Sequence, residues 1–311
     1  MGAAVDIVSL GEPLYEFSQI RGEDKRYLQG FGGDTMNAAI AAARQGAQAA
    51  YITRLGDDEF GRQLLDLWRS EGLDTSGVGL DCEAHTAVYF IHYGPQGHVF
   101  SYLRAGSAAS RMRPEHLPLD LIRHAKFFHA SAISQAISAS ACDTVFAAID
   151  TAKSAGVKFA YDSNLRLRLW PLPRAKAVIT ATIPLADYFL PSLDDVKALS
   201  GLEQPEAIVD WSHRLGARHV ALKLGADGAL ASDGARQERI APHQVECVDA
   251  TGAGDCFAGS LLARLCLGDD FWRAVRYANA AAALATTGYG AVAPLPRPEA
   301  VRKLLASQAQ R

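Results

Sequence analysis

Apolar and polar positions along the chain follow two alternating periods. Short β-branched or aromatic runs, VDIVSLG, AAYITRLG, KFFHAS, VKFAYDSN, DYFLPS and HVALKLG, are separated by stretches with helical spacing such as FGRQLLDLWRSEG and TVFAAIDTAKSAG. Strands that alternate with helices require crossover connections, so the pattern predicts an α/β fold with a central, mostly parallel sheet, whose ligands gather at the carboxyl ends of its strands. All 311 residues read as one such domain, because no internal repeat or low-complexity tract divides them.

Two segments depart from the alternation. LYEFSQIRGEDKRYLQGFGG (14–33) and HTAVYFIHYGPQGHVFSYLRAGSA (85–108) carry period-2 Tyr, Phe and Val runs around Arg-Gly and Gly-Pro turns, which predicts two antiparallel hairpins. Ending near residue 106, they are expected to form a small sheet that covers a site built from later loops and keeps water from a reactive centre. A decorative edge extension or a dimer contact would show the same pattern.

Composition narrows the partner. With 49% hydrophobic residues, 21% charged residues and a formal charge of −3, the chain lies in the ordinary globular range, and its Lys and Arg are scattered. That distribution offers no footprint for nucleic acid or an anionic membrane, so a small molecule is the expected ligand. Five cysteines without a CxxC spacing read as reduced thiols. Apolar runs such as AAAALA at 280–285 are too short to cross a bilayer, and the start of the sequence shows no charged-then-apolar leader, so the expected location is the cytoplasm.

Four stretches carry candidate chemistry. In VDATGAGDCFAGSLLARL, Gly252, Ala253 and Gly254 lack bulk and precede a helical run, which makes a ready anion site from backbone amides. Asp255 falls in the first turn, where the helix dipole favours its ionised form and where it can take a proton from a substrate hydroxyl. A glycine loop beside a carboxylate base is phosphoryl-transfer logic, although a tight turn before a helix-start acid looks the same in isolation. The chain has no GxxxxGK[ST] and no GxGxxG in a first βα unit, which counts against a Walker-type ATPase and a nicotinamide dehydrogenase.

FGGDTMNAAIAAARQG places Gly33, Asp34 and Asn37 at the mouth of an alanine-rich helix expected from about Asn37 to Gln45, a polar mouth suited to a polyol. Capping of that helix by Asp34 or Thr35 is the alternative use. Tyr89, Tyr102 and Arg104 in the second hairpin, with Asn164 and Arg166 in DSNLRLRLW, form a basic and aromatic set; two arginines near one pocket would favour an acidic sugar. Arg168 reads as a solvated surface residue that could share that role. ALKLGADGAL predicts a strand, a glycine turn and a strand, with Lys223, Gly225 and Gly228 available to a nucleotide.

Together, GGDTMNAAIAAARQG and DATGAGDCFAGSLLARL resemble the two signatures of the ribokinase-like (PfkB) carbohydrate kinases, over essentially the whole chain from GEPLYEF to GYGAVAP. Within that family, GGDTMN, SYLRAGSAAS and DSNLRLRLW resemble the 2-keto-3-deoxygluconate kinases. The resemblance implies a three-layer αβα domain with a β lid, and transfer of the ATP γ-phosphoryl group to the 6-hydroxyl of 2-dehydro-3-deoxy-D-gluconate. It implies Asp255 as the base and the amides of Gly252, Ala253 and Gly254 around the phosphoryl group. Gly33, Asp34 and Asn37 would hold sugar hydroxyls, and Tyr89, Tyr102, Arg104 and Arg166 the acid end. Asp162, Asn164, Lys223, Gly225, Gly228 and Asn279 would line the nucleotide side. Where many members carry Asn-x-x-Glu for Mg²⁺, PSLDD here offers Ser192 and Asp195, which puts the geometry of a water-mediated Mg²⁺ site in question. A monovalent cation such as K⁺ near Asp249 and Thr251, and a homo-oligomer formed through the lid, belong to the same implied set. A kinase of a neutral sugar or nucleoside, and a sensor without turnover, are the competing readings.

Overall fold

The computed structural model describes residues 5–20, 26–94 and 97–308. Its strands are β1 (Ile7–Leu10), β2 (Leu14–Gln19), β3 (Tyr27–Gly32), β4 (Ala49–Gly56), β5 (Val78–Asp81), β6 (Val88–Gly94), β7 (Gly97–Leu103), β8 (Phe127–Ser131), β9 (Lys158–Asp162), β10 (Tyr188–Phe189), β11 (His219–Lys223), β12 (Ala229–Ser232) and β13 (Gln237–Ile240).

Nine of them form one sheet in the order β13-β12-β11-β10-β9-β8-β1-β4-β5, parallel from β11 to β5 and antiparallel only at β12 and β13. The apolar runs of the sequence supply these strands, and their alternation decides which side chain goes to which layer. Ile7 joins a core with the alanine-rich helix Asp34–Arg44 and with helices Ala253–Cys266 and Phe271–Ala285. Val8 faces the other way, into a core with helix Ala139–Ser154 and the aromatic side chains of β8 and β9. The result is the three-layer αβα arrangement that the periodicity implies. Among the described residues no helix is long and apolar enough to cross a membrane, and all five cysteines are free.

The chain leaves β1 for β4 and β5 on one side and returns to β8, β9, β10 and β11 on the other. The strand order therefore reverses beside β1, where a crevice opens at the carboxyl ends of the strands. The two hairpin segments fold as expected into a second sheet, β3-β2-β6-β7. Each hairpin is antiparallel, but β2 and β6 meet in parallel, so the small sheet is mixed rather than purely antiparallel. The Arg-Gly turn at 21–22 and Pro95 of the Gly-Pro turn lie outside the described residues.

The alanine-rich helix starts at Asp34, three residues before the expected Asn37. Neither Asp34 nor Thr35 caps it. Gly33 holds the N-cap position at φ 127°, where a Cβ would stand 2.6 Å from the carbonyl oxygen of Glu12, so only glycine lets the turn pass so close to the end of β1. Small side chains also bring this helix against Ala253–Cys266: a Cβ on Gly259 would lie 2.0 Å from the carbonyl oxygen of Ala38. That close crossing brings the entrances of the two helices together.

Candidate active site

The two helix entrances, the carboxyl ends of β1, β9 and β11 and the inner face of the small sheet enclose a cleft of about 1040 Å³. Its wall includes Gly33, Asp34 and Asn37 from the first entrance and Gly252, Ala253, Gly254 and Asp255 from the second. Tyr89, Tyr102 and Arg104 come from the small sheet, and Asp162, Asn164, Arg166, Asp195, Lys223 and Gly225 from the strand ends. Most of the residues selected from sequence therefore converge, although they span the chain from 33 to 255.

Asp255 stands where the two entrances meet. Asn37 Nδ2 donates to its Oδ2 at 2.8 Å, across 218 residues of sequence. Burial first, and then the neighbouring charge of Asp34, push its carboxyl up to about 7, while the Asn37 hydrogen bond pulls the other way. A carboxylate so raised is a far better proton acceptor near neutrality than an ordinary aspartate. Asp34 takes a hydrogen bond from Asn164 Nδ2 at 2.7 Å through Oδ2, while its Oδ1 and the Oδ1 of Asn37 are buried with no hydrogen-bond partner. Buried acceptors left open cost stability unless something donates to them, and the hydroxyls of a polyol would do so.

Gly252 adopts φ 76° at the N-cap of Ala253–Cys266, and a Cβ there would sit 3.0 Å from Ala291. One of the three amides expected to meet the phosphoryl group is engaged within the turn. The Ala253 amide donates back to the carbonyl of Ala250 at 3.2 Å, closing the turn, while the amides of Gly252, Gly254 and Asp255 donate to no backbone carbonyl among the described residues. Those three, unpaired because the helix begins there, are the amides free to meet an anion.

The nucleotide-side set is divided. Lys223 Nζ pairs with Asp162 and lies close beneath Gly254, where a Cβ would stand 3.4 Å from Nζ. Gly228, Asn279 and Asp249 do not line the cleft. Gly228 is required by its turn, with φ 87° and a Cβ position 2.1 Å from the carbonyl oxygen of Ile240. Asn279 Nδ2 holds the carbonyl of Ala241 at 2.9 Å, at the root of the segment 242–246 that lines a second cavity of about 570 Å³ with Ala226. Asp249 accepts from the amide and hydroxyl of Thr251 and from the Gly290 amide at 3.0 Å, so it ties the glycine turn to the 286–290 loop.

At the other end, Tyr89 donates to Glu16 and stacks on Tyr102, with ring centroids 5.7 Å apart. The guanidinium of Arg104 lies 5.5 Å from the Tyr102 ring and pairs with Glu12, a residue that sequence reasoning did not select. Burial pushes the Glu12 carboxyl above its ordinary range, with Arg104 and the Ser107 hydroxyl acting against that rise. Arg168 is exposed, as expected, and also lines the cleft, where its Nη1 donates to the carbonyl of Phe100 in β7 at 3.3 Å. Neither Arg166 nor Arg168 makes a salt bridge among the described residues.

Six carboxylates (Glu12, Asp34, Asp162, Asp194, Asp195, Asp255) line the cleft against four cations (Arg104, Arg166, Arg168, Lys223). That balance leaves room for a divalent cation when polyphosphate enters. Ser192 accepts from the Asp195 amide at 3.4 Å and starts helix Leu193–Ser200, and Asp195 Oδ2 takes the Ser163 hydroxyl at 3.1 Å. Among the described residues no three His, Cys, Asp or Glu side chains form a metal cage. Asp194 and Asp195 are carboxylates of the cleft wall that could hold a hydrated Mg²⁺, an ion that keeps several waters and needs only one or two carboxylates.

Layers, strand order and the mouth of two helices define a ribokinase-like fold. An E. coli chain provisionally described as ribokinase II, solved with ATP and Mg²⁺, matches with a TM-score of 0.90 at 26% identity, covering 97% of this chain and 99% of that one. Residues 4–298 match the model of the pfkB family carbohydrate kinases. A 2-dehydro-3-deoxygluconokinase of Thermoproteus tenax is 36% identical over 313 residues, 97% of this chain and 95% of its own length. A probable fructokinase-4 of Arabidopsis thaliana is 35% identical over 317 residues, 96% of both. The chain belongs to the PfkB family and is a carbohydrate kinase.

Proposed function

We propose that this kinase transfers the γ-phosphoryl group of ATP to the 6-hydroxyl of a sugar acid, 2-dehydro-3-deoxy-D-gluconate. The observation that carries the acid is the pair Arg166 and Arg168, two exposed guanidiniums in the cleft wall that make no salt bridge among the described residues, Arg166 acting on the nearby Asp195 carboxylate only through its charge. A planar carboxylate is their natural complement.

In this reading the sugar lies between the two helix entrances and the small sheet, which acts as a lid. Its hydroxyls donate to Asp34 Oδ1 and Asn37 Oδ1, the acceptors left open in the structure. Asp255, held by Asn37, takes the proton of the attacking hydroxyl, and the amides of Gly252 and Gly254 donate to the oxygens on which charge develops during transfer. Lys223 approaches the same phosphoryl oxygens from beneath Gly254. Asp195 would hold Mg²⁺ through water, and the ion would supply positive charge to offset that of the polyphosphate. The chemistry is therefore mostly positioning and electrostatics.

A specific observation favours the second reading, a neutral ketose such as fructose. Arg104, expected at the acid end, already has Glu12 as its partner, so a neutral substrate would leave it satisfied. Release of ADP measured with ketodeoxygluconate, its galactonate epimer, gluconate, fructose and ribose separates the two. A kcat/KM for the keto acids above that for fructose supports the first, and turnover confined to fructose or ribose overturns it. No ADP release with any sugar would leave only a binding role.

A further inference from the structure

Glu12 takes no part in the transfer step described above, yet its side chain, 0% exposed, is among the most enclosed charged groups of the chain. It stands just past the end of β1, and three parts of the site meet on it. Its carboxylate receives Arg104 and the Ser107 hydroxyl, the latter at 3.0 Å, from the chain leaving β7. Its carbonyl oxygen abuts Gly33 so closely that no Cβ fits between them, which locks it to the helix that carries Asp34 and Asn37. Its partner Arg104 lines the cleft with 14% of its side chain exposed, beside the Tyr102 ring.

A guanidinium that shares its charge with a buried carboxylate gives an incoming acid much less than a bare one would. The second carboxylate meets the attraction of the arginine and the repulsion of the first at nearly the same range, in a medium that screens both poorly. We propose that Glu12 is a specificity residue: it neutralises Arg104 at the lid end of the sugar pocket, so that Arg104 donates to an uncharged oxygen of the acceptor and carboxylate recognition falls to Arg166 and Arg168. This rests on the reading that the acceptor sugar lies between Asp255 and the lid, and it holds whichever acceptor is the better one.

The test compares the protein with Glu12→Gln, which keeps shape and hydrogen bonding but removes the charge, and with the double variant Glu12→Gln/Arg104→Gln. The readout is the ratio of kcat/KM for ketodeoxygluconate to that for fructose at saturating ATP. Uncovering the Arg104 charge raises the ratio about tenfold or more in the single variant, and the double variant returns it to within about threefold of the starting value. An unchanged or lower ratio in the single variant, with both substrates losing in parallel, assigns Glu12 to structure alone and overturns the proposal. So does a double variant whose ratio falls about tenfold, because Arg104 would then serve a carboxylate despite Glu12. If thermal melts show that Glu12→Gln does not fold, the double variant, which buries no unpaired charge, decides alone. An unmodified protein that turns over neither sugar defeats the substrate reading rather than this one, and the ratio is then taken between the best acidic and best neutral sugars of the panel.

Discussion

The two ends of the cleft treat charge in opposite ways. At the transfer end the carboxylates of Asp255 and Asp34 are braced by neutral amides, Asn37 and Asn164, and keep buried acceptors open beside them. At the lid end Glu12 and Glu16 are closed by donors from the hairpins, Arg104 and Tyr89, before any ligand arrives. The difference has a physical reason. Burial raises the carboxyls at both ends, and at Asp255 it outweighs the Asn37 hydrogen bond and the charge of Lys223, while at Glu12 the ion pair with Arg104 works against it. A residue that only shapes a binding wall gains nothing from such reactivity, and leaving its charge unmet would cost folding energy.

The largest effect should come from removing the reactive carboxylate. Asp255→Asn keeps the hydrogen bond geometry and is expected to lower kcat by roughly 100- to 10,000-fold with an unchanged thermal melt. Near-normal turnover would show that the transfer end is no different in kind from the lid end. The pH profile probes the same contrast without a mutation. A base must be ionised to work, and Asp255 is raised to about 7, so kcat/KM should fall as pH drops below about 7, roughly tenfold for each unit. A plateau that persists down to pH 5 would contradict the raised carboxyl. The smallest of the three effects belongs to the cations that make no salt bridge. Arg166→Ala should raise KM for the keto acid about tenfold or more while KM for ATP stays nearly constant, and KM for fructose should move far less. Equal changes for both sugars would remove the carboxylate role from Arg166.

Much of this site was legible because its signals are local. A glycine at φ 76° before a helix, an aspartate in the first turn and an asparagine at a helix mouth leave their marks within a few residues, and helix entrances need just those types. The turn bond from the Ala253 amide to Ala250 is not legible for an equally local reason, since residue type does not say whether a turn will consume an N–H. For Gly228 and Asn279, which the family resemblance implies on the nucleotide side, the closeness to Ile240 and the bond to Ala241 come only from the fold. Glu12 and the Phe100 contact of the exposed Arg168 are not legible, because nothing in GEPLYEF or LRLRLW marks a partner. Arg104 lies 92 residues from Glu12, and Phe100 lies 68 from Arg168.

The sequence by itself determined the three-layer architecture, the two hairpins and the two glycine-marked helix mouths, because periodicity and backbone conformation are properties of neighbouring residues. Only the tertiary structure decided which charges meet. The close crossing at Gly259 brought Asn37 to Asp255, the end of β1 brought Glu12 to Arg104, and burial raised the Asp255 carboxyl to about 7. Proton affinity and charge pairing depend on distance and dielectric between parts far apart in sequence, and those exist only once the layers have packed.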